Sequence, residues 1–220
     1  MKYIVLLSAG LDSSVNLLEA HREGSVLLAL TFDYGQRAAK SEIRSAQNLC
    51  AELGLRHQVI ELPFIKSFGK SSLIDSTKNI PTQGQVSIDD LKVSQKTAES
   101  VWVPNRNGIL LNIAAGFAEA LGADAIVPGF NIEEAQTFPD NSTDYLKALD
   151  QSFSFSTANK VVTRCFTDQL NKTQIVKRGI ELGLDFNHIW PCYFSAENWC
   201  GVCESCQRSL RAMKANGVNR

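Results

Sequence analysis

Short apolar runs alternate with segments of helical spacing along most of this chain of 220 residues. Residues 2–7 and 26–32 are rich in leucine and β-branched residues, and apolar residues at intervals of three and four follow each run. Such alternation is typical of βαβ units, in which a helix returns the chain to begin a parallel neighbouring strand. The pattern therefore predicts an α/β fold around a parallel sheet.

The same spacing predicts where the remaining elements lie. Helices are expected at residues 13–21, 38–53, 109–121, 145–155 and 172–182. Further strands are expected at residues 57–62, 125–128 and 161–166. Between residues 63 and 103 the periodicity fades into a polar stretch, and an irregular segment of this length inside a compact domain is typical of a lid.

The charge balance gives no reason to expect a polyanionic partner, because 22 Lys and Arg face 23 Asp and Glu. A mild basic cluster at Arg208, Arg211 and Lys214 is interpreted as the solvated face of a helix, and no nucleic-acid partner is expected. No run approaches the roughly 18 apolar residues of a membrane span. Met1 leads directly into a strand rather than a cleavable leader, so we expect a cytoplasmic protein with no membrane partner.

The first predicted strand ends in residues 8–10, Ser-Ala-Gly, and turns at once into a helix. Backbone N–H groups at a helix start attract anions, and nearby serine hydroxyls can hold phosphate oxygens. Asp12 beside a phosphate is unfavourable unless it caps the helix or meets a divalent ion, which suggests a nucleotide bound with Mg²⁺. An Asp followed by serines also begins many ordinary helices, and this alternative stays open on the residues alone.

Four cysteines stand close together near the end of the chain, at Cys192, Cys200, Cys203 and Cys206. In a reducing compartment this spacing favours a metal over disulfides. Four thiolates complete the tetrahedral shell of one Zn²⁺, and such closed shells are structural, although a redox pair or an iron–sulfur cluster is an alternative. We expect the metal to hold a C-terminal segment, residues 186–220, against a main domain of residues 1–185.

The segment Ser8-Ala9-Gly10-Leu11-Asp12-Ser13 resembles the Ser-Gly-Gly-x-Asp-Ser loop of the PP-loop ATP pyrophosphatases. The resemblance implies a Rossmann-like adenine nucleotide alpha hydrolase fold, in which this loop cradles the phosphates of ATP. Members of the superfamily use ATP to activate a carboxylate, carbonyl or amide oxygen before a nitrogen or sulfur nucleophile attacks. The residues assigned to ATP in this way are Ser8, Ala9, Gly10, Leu11, Asp12, Ser13 and Ser14.

Further segments, in order and spacing, resemble the 7-cyano-7-deazaguanine synthase family over nearly the whole chain. They are Asp33-Tyr34-Gly35-Gln36-Arg37, Val103-Pro104-Asn105-Arg106-Asn107, Gly129-Phe130-Asn131, Phe138-Pro139-Asp140, Leu170-Asn171-Lys172 and Trp190-Pro191-Cys192-Tyr193, followed by the three closing cysteines. The resemblance implies a homodimer with one structural zinc ion per chain. It also implies an ATP-dependent conversion of 7-carboxy-7-deazaguanine and ammonia into the nitrile, through an activated acid and an activated amide.

The resemblance also suggests roles for individual side chains. Lys172 would oppose the charge of the departing pyrophosphate and Arg106 would steady the acyl-phosphate region, as the expected catalytic residues. Asp140 matches the amino and ring N–H donors of a guanine-like base. The expected substrate-binding residues are Tyr34, Gln36, Arg37, Asn107, Asn131, Phe138 and Asp140, with Tyr34 or Phe138 stacking on the base. A solvated Lys172, a surface ion pair for Arg106 and plain core packing for Tyr34 are the alternatives.

Two positions depart from the family pattern. Ala9 stands where the loop usually has glycine. Its methyl group could narrow the phosphate pocket, or be harmless if its φ is negative, and we expect it to be tolerated. Asn141 ends a Phe-Pro-Asp-Asn segment where the family usually shows Tyr-Pro-Asp-Cys. These changes leave open a paralogue that stops at the amide or joins the activated deazaguanine to another amine. A tRNA-thiolating enzyme and a non-catalytic, zinc-stapled nucleotide-binding module are further alternatives.

Overall fold

The computed structural model describes residues 1–69 and 71–219, and these form one parallel sheet. Its strands are β1 Lys2–Leu6, β2 Ser25–Asp33, β3 His57–Glu61, β4 Ala125–Val127 and β5 Val162–Thr163. They lie in the order β3-β2-β1-β4-β5, and every neighbouring pair is parallel. The predicted α/β class is confirmed. The strand order reverses between β1 and β4, which is where open α/β sheets bind their ligands.

The α-helices of the described residues are α1 Leu11–Glu23, α2 Ala39–Glu52, α3 Leu91–Val101, α4 Arg106–Leu121, α5 Ile132–Ala135, α6 Thr143–Ser156, α7 Lys172–Glu181 and α8 Glu204–Ala215. Short 3₁₀ turns cover Pro63–Phe68, Gln83–Gln85, Pro139–Asn141 and Phe186–His188. The five predicted helices correspond to α1, α2, α4, α6 and α7, with every boundary within three residues. None of the described helices is long and apolar enough to span a membrane.

Helices cover both faces of the sheet, which explains why its strands are apolar nearly throughout. Helices α1, α2, α7 and α8 supply Leu17, Leu49, Ile175 and Met213 to the core on one face. Helices α4 and α6 supply Leu111, Leu149 and Phe153 to the core on the other face. Successive residues of β1 alternate between the two cores, as the period of a strand requires: Tyr3 and Val5 belong to the first and Ile4 to the second.

The segment from 63 to 103 is more regular than its periodicity predicts. Helix α3 occupies its last part, and the carboxylate of Asp90 caps that helix by accepting hydrogen bonds from the backbone N–H groups of Lys92 and Val93. The helix escapes detection because part of its buried face is polar: Ser94 and Thr97 are buried and hydrogen-bond to Glu204 of α8. The prediction of an irregular segment is therefore wrong for α3.

The C-terminal segment packs on the rest of the chain through α8. Ala212 and Met213 are buried in the same core as residues of α1 and α7. The cysteines form a small cluster with Ala38 and Trp190. The division into residues 1–185 and 186–220 stays a prediction, and Arg220 lies outside the described residues.

Two phenylalanines of α6 test how this helix packs on the sheet. Phe153 is fully buried, whereas Phe155 is 87% exposed. We expect Phe153→Ala to lower the free energy of unfolding by about 3–5 kcal/mol, because it leaves a cavity in the core. Phe155→Ala, the matched control, should change it by less than about 0.5 kcal/mol. Denaturant unfolding measures both, and equal losses would contradict the packing.

Candidate active site at the reversal of strand order

A cavity of about 270 Å³ opens beyond the carboxyl ends of β1, β2 and β4. Its wall combines the loop after β1 with residues that follow β2 and β4, the start of α4, the end of α3 and the first turns of α8. Predicted site residues that line it are Ser8, Gly10, Leu11, Asp12, Ser13, Tyr34, Gln36, Arg106, Asn107, Phe138, Asp140 and Lys172. Most of the predicted residues, taken from distant parts of the chain, therefore meet at one cavity.

The loop after β1 is built to receive an anion. Gly10 is the N-cap of α1 and offers no side-chain acceptor to the first N–H groups of the helix. The hydroxyls of Ser8 and Ser13 lie 3.2 Å apart beside them. The buried Ser14 hydroxyl has no hydrogen-bond partner among the described residues. Asp12 lies inside the first turn and does not cap the helix, so its alternative role as a simple cap is wrong.

Ala9 adopts a left-handed backbone conformation, with φ of +57°. The negative φ that would make the methyl group harmless is therefore not found. A residue with a Cβ atom pays about 1–2 kcal/mol for this conformation, which explains why glycine suits the position. The methyl group is fully buried, and the carbonyl oxygen of Ala9 accepts a hydrogen bond of 2.6 Å from the backbone N–H of Trp190. Ala9 is tolerated by the fold through a strained but anchored loop.

Lys172 lies in a buried cluster of charges at the wall of the cavity. Its Nζ donates to Oδ2 of Asp12 and to Oε1 of Glu134, the latter at 2.8 Å. Burial raises the pKa of Asp12 to about 6, against the opposing charge of Lys172. Burial lowers the pKa of Lys172, but the two carboxylates outweigh it and the net shift is upward. The alternative of a solvated Lys172 is wrong, and the ammonium group stays charged.

Arg106 begins α4 and points its guanidinium toward the loop after β2. Its Nη1 donates to the hydroxyl of Tyr34 over 3.4 Å, and its Nε donates to Oδ1 of Asn107 over 3.1 Å. The guanidinium carbon lies 6.0 Å from the centre of the Tyr34 ring. No carboxylate of the described residues lies within ion-pair distance of Arg106, so the surface ion pair considered as its alternative is not formed. A cation is thus left to face the cavity.

An aromatic pair forms another part of the wall. Trp102 and Phe138 stack with ring centroids 5.9 Å apart and planes inclined by 6°. Phe138 is followed by Asp140, whose Oδ1 accepts a hydrogen bond of 3.1 Å from the side-chain amide of Asn141. Burial raises the pKa of Asp140, and the nearby charge of Arg106 acts against this shift. Sequence reasoning missed Trp102, because only its position directly before the Val103–Asn107 segment distinguishes it.

Three residues expected at the substrate are occupied by contacts within the protein. Asn131 is fully buried, donates to Oδ2 of Asp12 over 3.2 Å and caps α5 through Oδ1. Arg37 donates to the carbonyl oxygens of Asp75 and Lys78. Gln36 lines the cavity, but its side-chain amide bonds to the backbone at Phe32 and Tyr34. Asn131 and Arg37 lie outside the described residues that line the cavity, so they support its wall from behind.

Charged residues that the sequence analysis did not assign complete the site. Glu134, Glu42 and Glu204 line the cavity, as does Arg208. The Arg208 side chain is 12% exposed and pairs with Glu133 at 3.2 Å and with Glu204 at 2.9 Å. Its interpretation as part of a solvated helix face is therefore wrong. Ion pairs from Arg208 and Arg211 to Glu133 hold α8 against α5, and hydrogen bonds to Ser94 and Thr97 hold it against α3.

The four C-terminal cysteines converge as their spacing predicts. Their Sγ atoms all lie within 4.8 Å of one another. A tetrahedral metal ion with bonds of about 2.3 Å to sulfur separates its ligands by about 3.8 Å, so the set fits such an ion. Backbone N–H groups of Phe194 and Cys200 each point at Sγ of Cys192 from 3.4 Å, which favours a thiolate. The cluster could hold a metal ion.

The segment of residues 82–103 is attached to the cysteine loop, which is the stretch of residues 192–206 that carries the four cysteines. Thr82 and Cys203 form an antiparallel bridge, and the N–H of Gln83 donates to the carbonyl oxygen of Val202 over 3.0 Å. The hydroxyl of Thr97 donates to Glu204 over 2.7 Å. Residues 101–103, at the end of α3, line the cavity. The cysteine loop therefore positions one wall of the site.

The left-handed conformation of Ala9 predicts the effect of restoring glycine. Ala9→Gly should raise the free energy of unfolding by up to about 1 kcal/mol, because the strain it removes exceeds the added entropy of the unfolded chain. Ala51→Gly, at an exposed position within α2, should lower it by about 1 kcal/mol. Denaturant unfolding distinguishes the two, and a loss in Ala9→Gly equal to that of the control would contradict the strain.

Comparisons with known proteins agree over the whole length. The model of the QueC family, described as queuosine biosynthesis protein QueC, matches residues 2–217. The 7-cyano-7-deazaguanine synthase of Bdellovibrio bacteriovorus is 54% identical over 221 residues, covering 99% of this chain and 95% of that protein. The protein of the same name from Pelotomaculum thermopropionicum is 50% identical over 218 residues, covering 99% of each.

Solved structures support the fold. A 4-thiouridine synthetase, crystallised as an RNA complex with bound ATP, aligns with a TM-score of 0.54 at 20% identity, over 97% of this chain and 50% of that chain. At that identity the likeness concerns the fold alone, which is of the PP-loop ATP pyrophosphatase type. The family match and the full-length relatives together show that the chain belongs to the QueC family of queuosine biosynthesis proteins.

Proposed function

We propose that this protein is a cytoplasmic, homodimeric ATP-dependent carbon–nitrogen ligase that converts 7-carboxy-7-deazaguanine and ammonia into 7-cyano-7-deazaguanine. The observation that carries the proposal is a single cavity that joins the uncapped start of α1, the unpaired Arg106 and the Asp140 carboxylate. An anion site beside an acceptor for a guanine-like edge matches the two substrates, ATP and a deazaguanine acid. Full-length relatives at 54% and 50% identity carry the name of this activity.

The loop after β1 would hold the ATP phosphates. The first N–H groups of α1 and the hydroxyls of Ser8 and Ser13 supply donors, and Lys172 keeps a positive charge at the same wall. Oδ1 of Asp12 is buried without a hydrogen-bond partner among the described residues, so it fits a ligand of the Mg²⁺ that accompanies ATP. That ion would neutralise phosphate charge and orient the leaving pyrophosphate.

The deazaguanine would lie on the side of the cavity formed by the Phe138–Asn141 segment. Asp140 can accept hydrogen bonds from the amino and ring N–H groups of the base. The stacked rings of Trp102 and Phe138 offer an apolar surface for its plane. The carboxyl group would then face Arg106, whose charge stabilises the developing acyl-phosphate.

The chemistry needs two activations of the same carbon. The carboxylate oxygen attacks the α-phosphorus of ATP and pyrophosphate leaves, after which ammonia attacks the acyl carbon and AMP departs with the bonding electron pair. The amide oxygen is then activated in the same way. Loss of this second AMP, together with the remaining N–H protons, leaves the nitrile.

A paralogue that stops at the amide, or that uses another amine, is the second candidate. One observation favours it: Asn141 contacts Asp140 where the family usually has cysteine, so the base-reading segment differs from the family pattern. The fold likeness to a 4-thiouridine synthetase does not favour tRNA thiolation, because it rests on 20% identity.

The cysteine cluster would hold one structural Zn²⁺, which accepts four thiolates in a closed shell. We expect chelation of this ion to increase amide hydrogen exchange at Gln83, whose N–H is held by the cysteine loop, while the central strand β1 stays protected. Hydrogen exchange followed by mass spectrometry measures both regions. Unchanged exchange at Gln83, or equal loss of protection in β1, would contradict a local role for the metal.

The product identifies the activity. Purified, zinc-loaded protein incubated with Mg-ATP, ammonium and 7-carboxy-7-deazaguanine should yield the nitrile, detected by mass spectrometry, together with pyrophosphate. Amide alone would support a paralogue that stops at the amide, and untouched acid would contradict the synthase and point to a paralogue that uses another amine. Lys172→Met should slow product formation by at least about 100-fold, because it removes a buried positive charge from the phosphate site. Lys177→Met, at an exposed position of α7, should leave the rate unchanged, and thermal melting checks that both variants fold.

A further inference from the structure

Most carboxylates that face the cavity already have a partner. Among the described residues, the carboxylates that line the cavity are those of Asp12, Glu42, Glu134, Asp140 and Glu204. Asp12 and Glu134 pair with Lys172, and Glu204 pairs with Arg208. Asp140 accepts from its neighbour Asn141 and belongs to the base-reading segment. Glu42 remains without an assigned role.

Glu42 lies in the first turn of α2, directly after the loop that follows β2. Its Oε2 accepts a hydrogen bond of 2.8 Å from Nε2 of Gln36. Gln36 is itself fixed, because it donates to the carbonyl oxygen of Phe32 over 2.9 Å and accepts from the N–H of Tyr34 over 3.0 Å. The carboxylate is therefore held rigidly at the cavity wall by a neutral donor.

No cation of the described residues forms an ion pair with Glu42. Burial raises its pKa to about 7, the charge of Asp33 adds to this shift, and the Gln36 hydrogen bond and Arg106 oppose it. Tyr34 is a further ionisable group that interacts with it. A carboxylate of this kind attracts a small cation from solution and can hold its proton near neutral pH. Arg106, which would steady the acyl-phosphate, interacts electrostatically with Glu42.

The second substrate is such a cation, because ammonia is mostly ammonium at neutral pH and cannot attack carbon in that form. We propose that Glu42 binds the incoming ammonium and accepts its proton as the general base of amide formation. This inference rests on the proposed function.

The step balances in atoms and electrons. One N–H bond of ammonium breaks and its proton passes to Glu42, which leaves the nitrogen lone pair free. That pair forms the C–N bond at the activated acyl carbon, and the C–O bond to AMP breaks with its electrons remaining on the phosphate oxygen. A second proton leaves the nitrogen to water, so ammonium and acyl-adenylate become amide, AMP and two protons.

The test replaces only the basic function, with Glu42→Gln. The exchange of pyrophosphate into ATP that requires 7-carboxy-7-deazaguanine takes place before the nucleophile reacts. Its rate should stay within about threefold of wild type. Amide formation from ammonium should fall by about 100- to 1,000-fold. Hydroxylamine is uncharged at neutral pH, so its hydroxamate product should form at close to the wild-type rate. Product mass spectrometry at fixed pH follows both nucleophiles.

Two further variants serve as comparisons. Glu52→Gln, an exposed change on the same helix, should match wild type with both nucleophiles. Asp140→Asn should raise KM for the acid without changing the ratio of ammonium to hydroxylamine rates. The proposal is overturned if Glu42→Gln loses activity equally with ammonium and with hydroxylamine. It is also overturned if the variant loses pyrophosphate exchange, or if it keeps full activity with ammonium. A wild-type protein that makes no amide would contradict the proposed function itself, and the role of Glu42 with it.

Discussion

The buried charges around Lys172 tie together the parts from which the site is assembled. Lys172 is the first residue of α7, Asp12 belongs to the first turn of α1, and Glu134 lies in α5. Charges withdrawn from water are costly unless they are paired, so removing Lys172 would leave two carboxylates uncompensated. The same pairing keeps Lys172 ionised at the cavity wall. The arrangement that stabilises the loop after β1 therefore also supplies the positive charge that the proposed chemistry requires.

Much of the fold could be predicted because it depends on local patterns. Apolar residues at helical spacing indicate α1, α2, α4, α6 and α7, and the cysteine spacing predicts that four thiols meet. Helix α3 was missed although its residues are amphipathic, because its inner face is partly polar: Ser94 and Thr97 bury hydroxyls against Glu204. A pattern of apolar residues does not identify a helix face that packs through hydroxyl groups.

Residue types indicated which side chains gather at the cavity, but they indicated less well what each side chain contacts. Lys172, Arg106 and Asp140 do line one cavity. Asn131 and Arg37 instead bond to other parts of the protein, and Arg208 is buried in ion pairs. Some polar groups of a motif face a ligand, and others hold the motif in shape. The difference depends on partners from distant parts of the chain, which a single sequence does not show. The same reason hides Glu42, because the sequence does not show that its carboxylate lines the cavity with no ion-pair partner among the described residues.

The hydrogen bond from Trp190 to Ala9 joins the loop after β1 to a segment about 180 residues further along the chain. The ribosome therefore makes this loop well before it makes the residue that anchors it. The nascent protein can build β1 to β3 early, but it cannot complete the cavity until α8 has been made. A chain that is released before α8 would carry the loop after β1 without the α8 side chains that close its cavity.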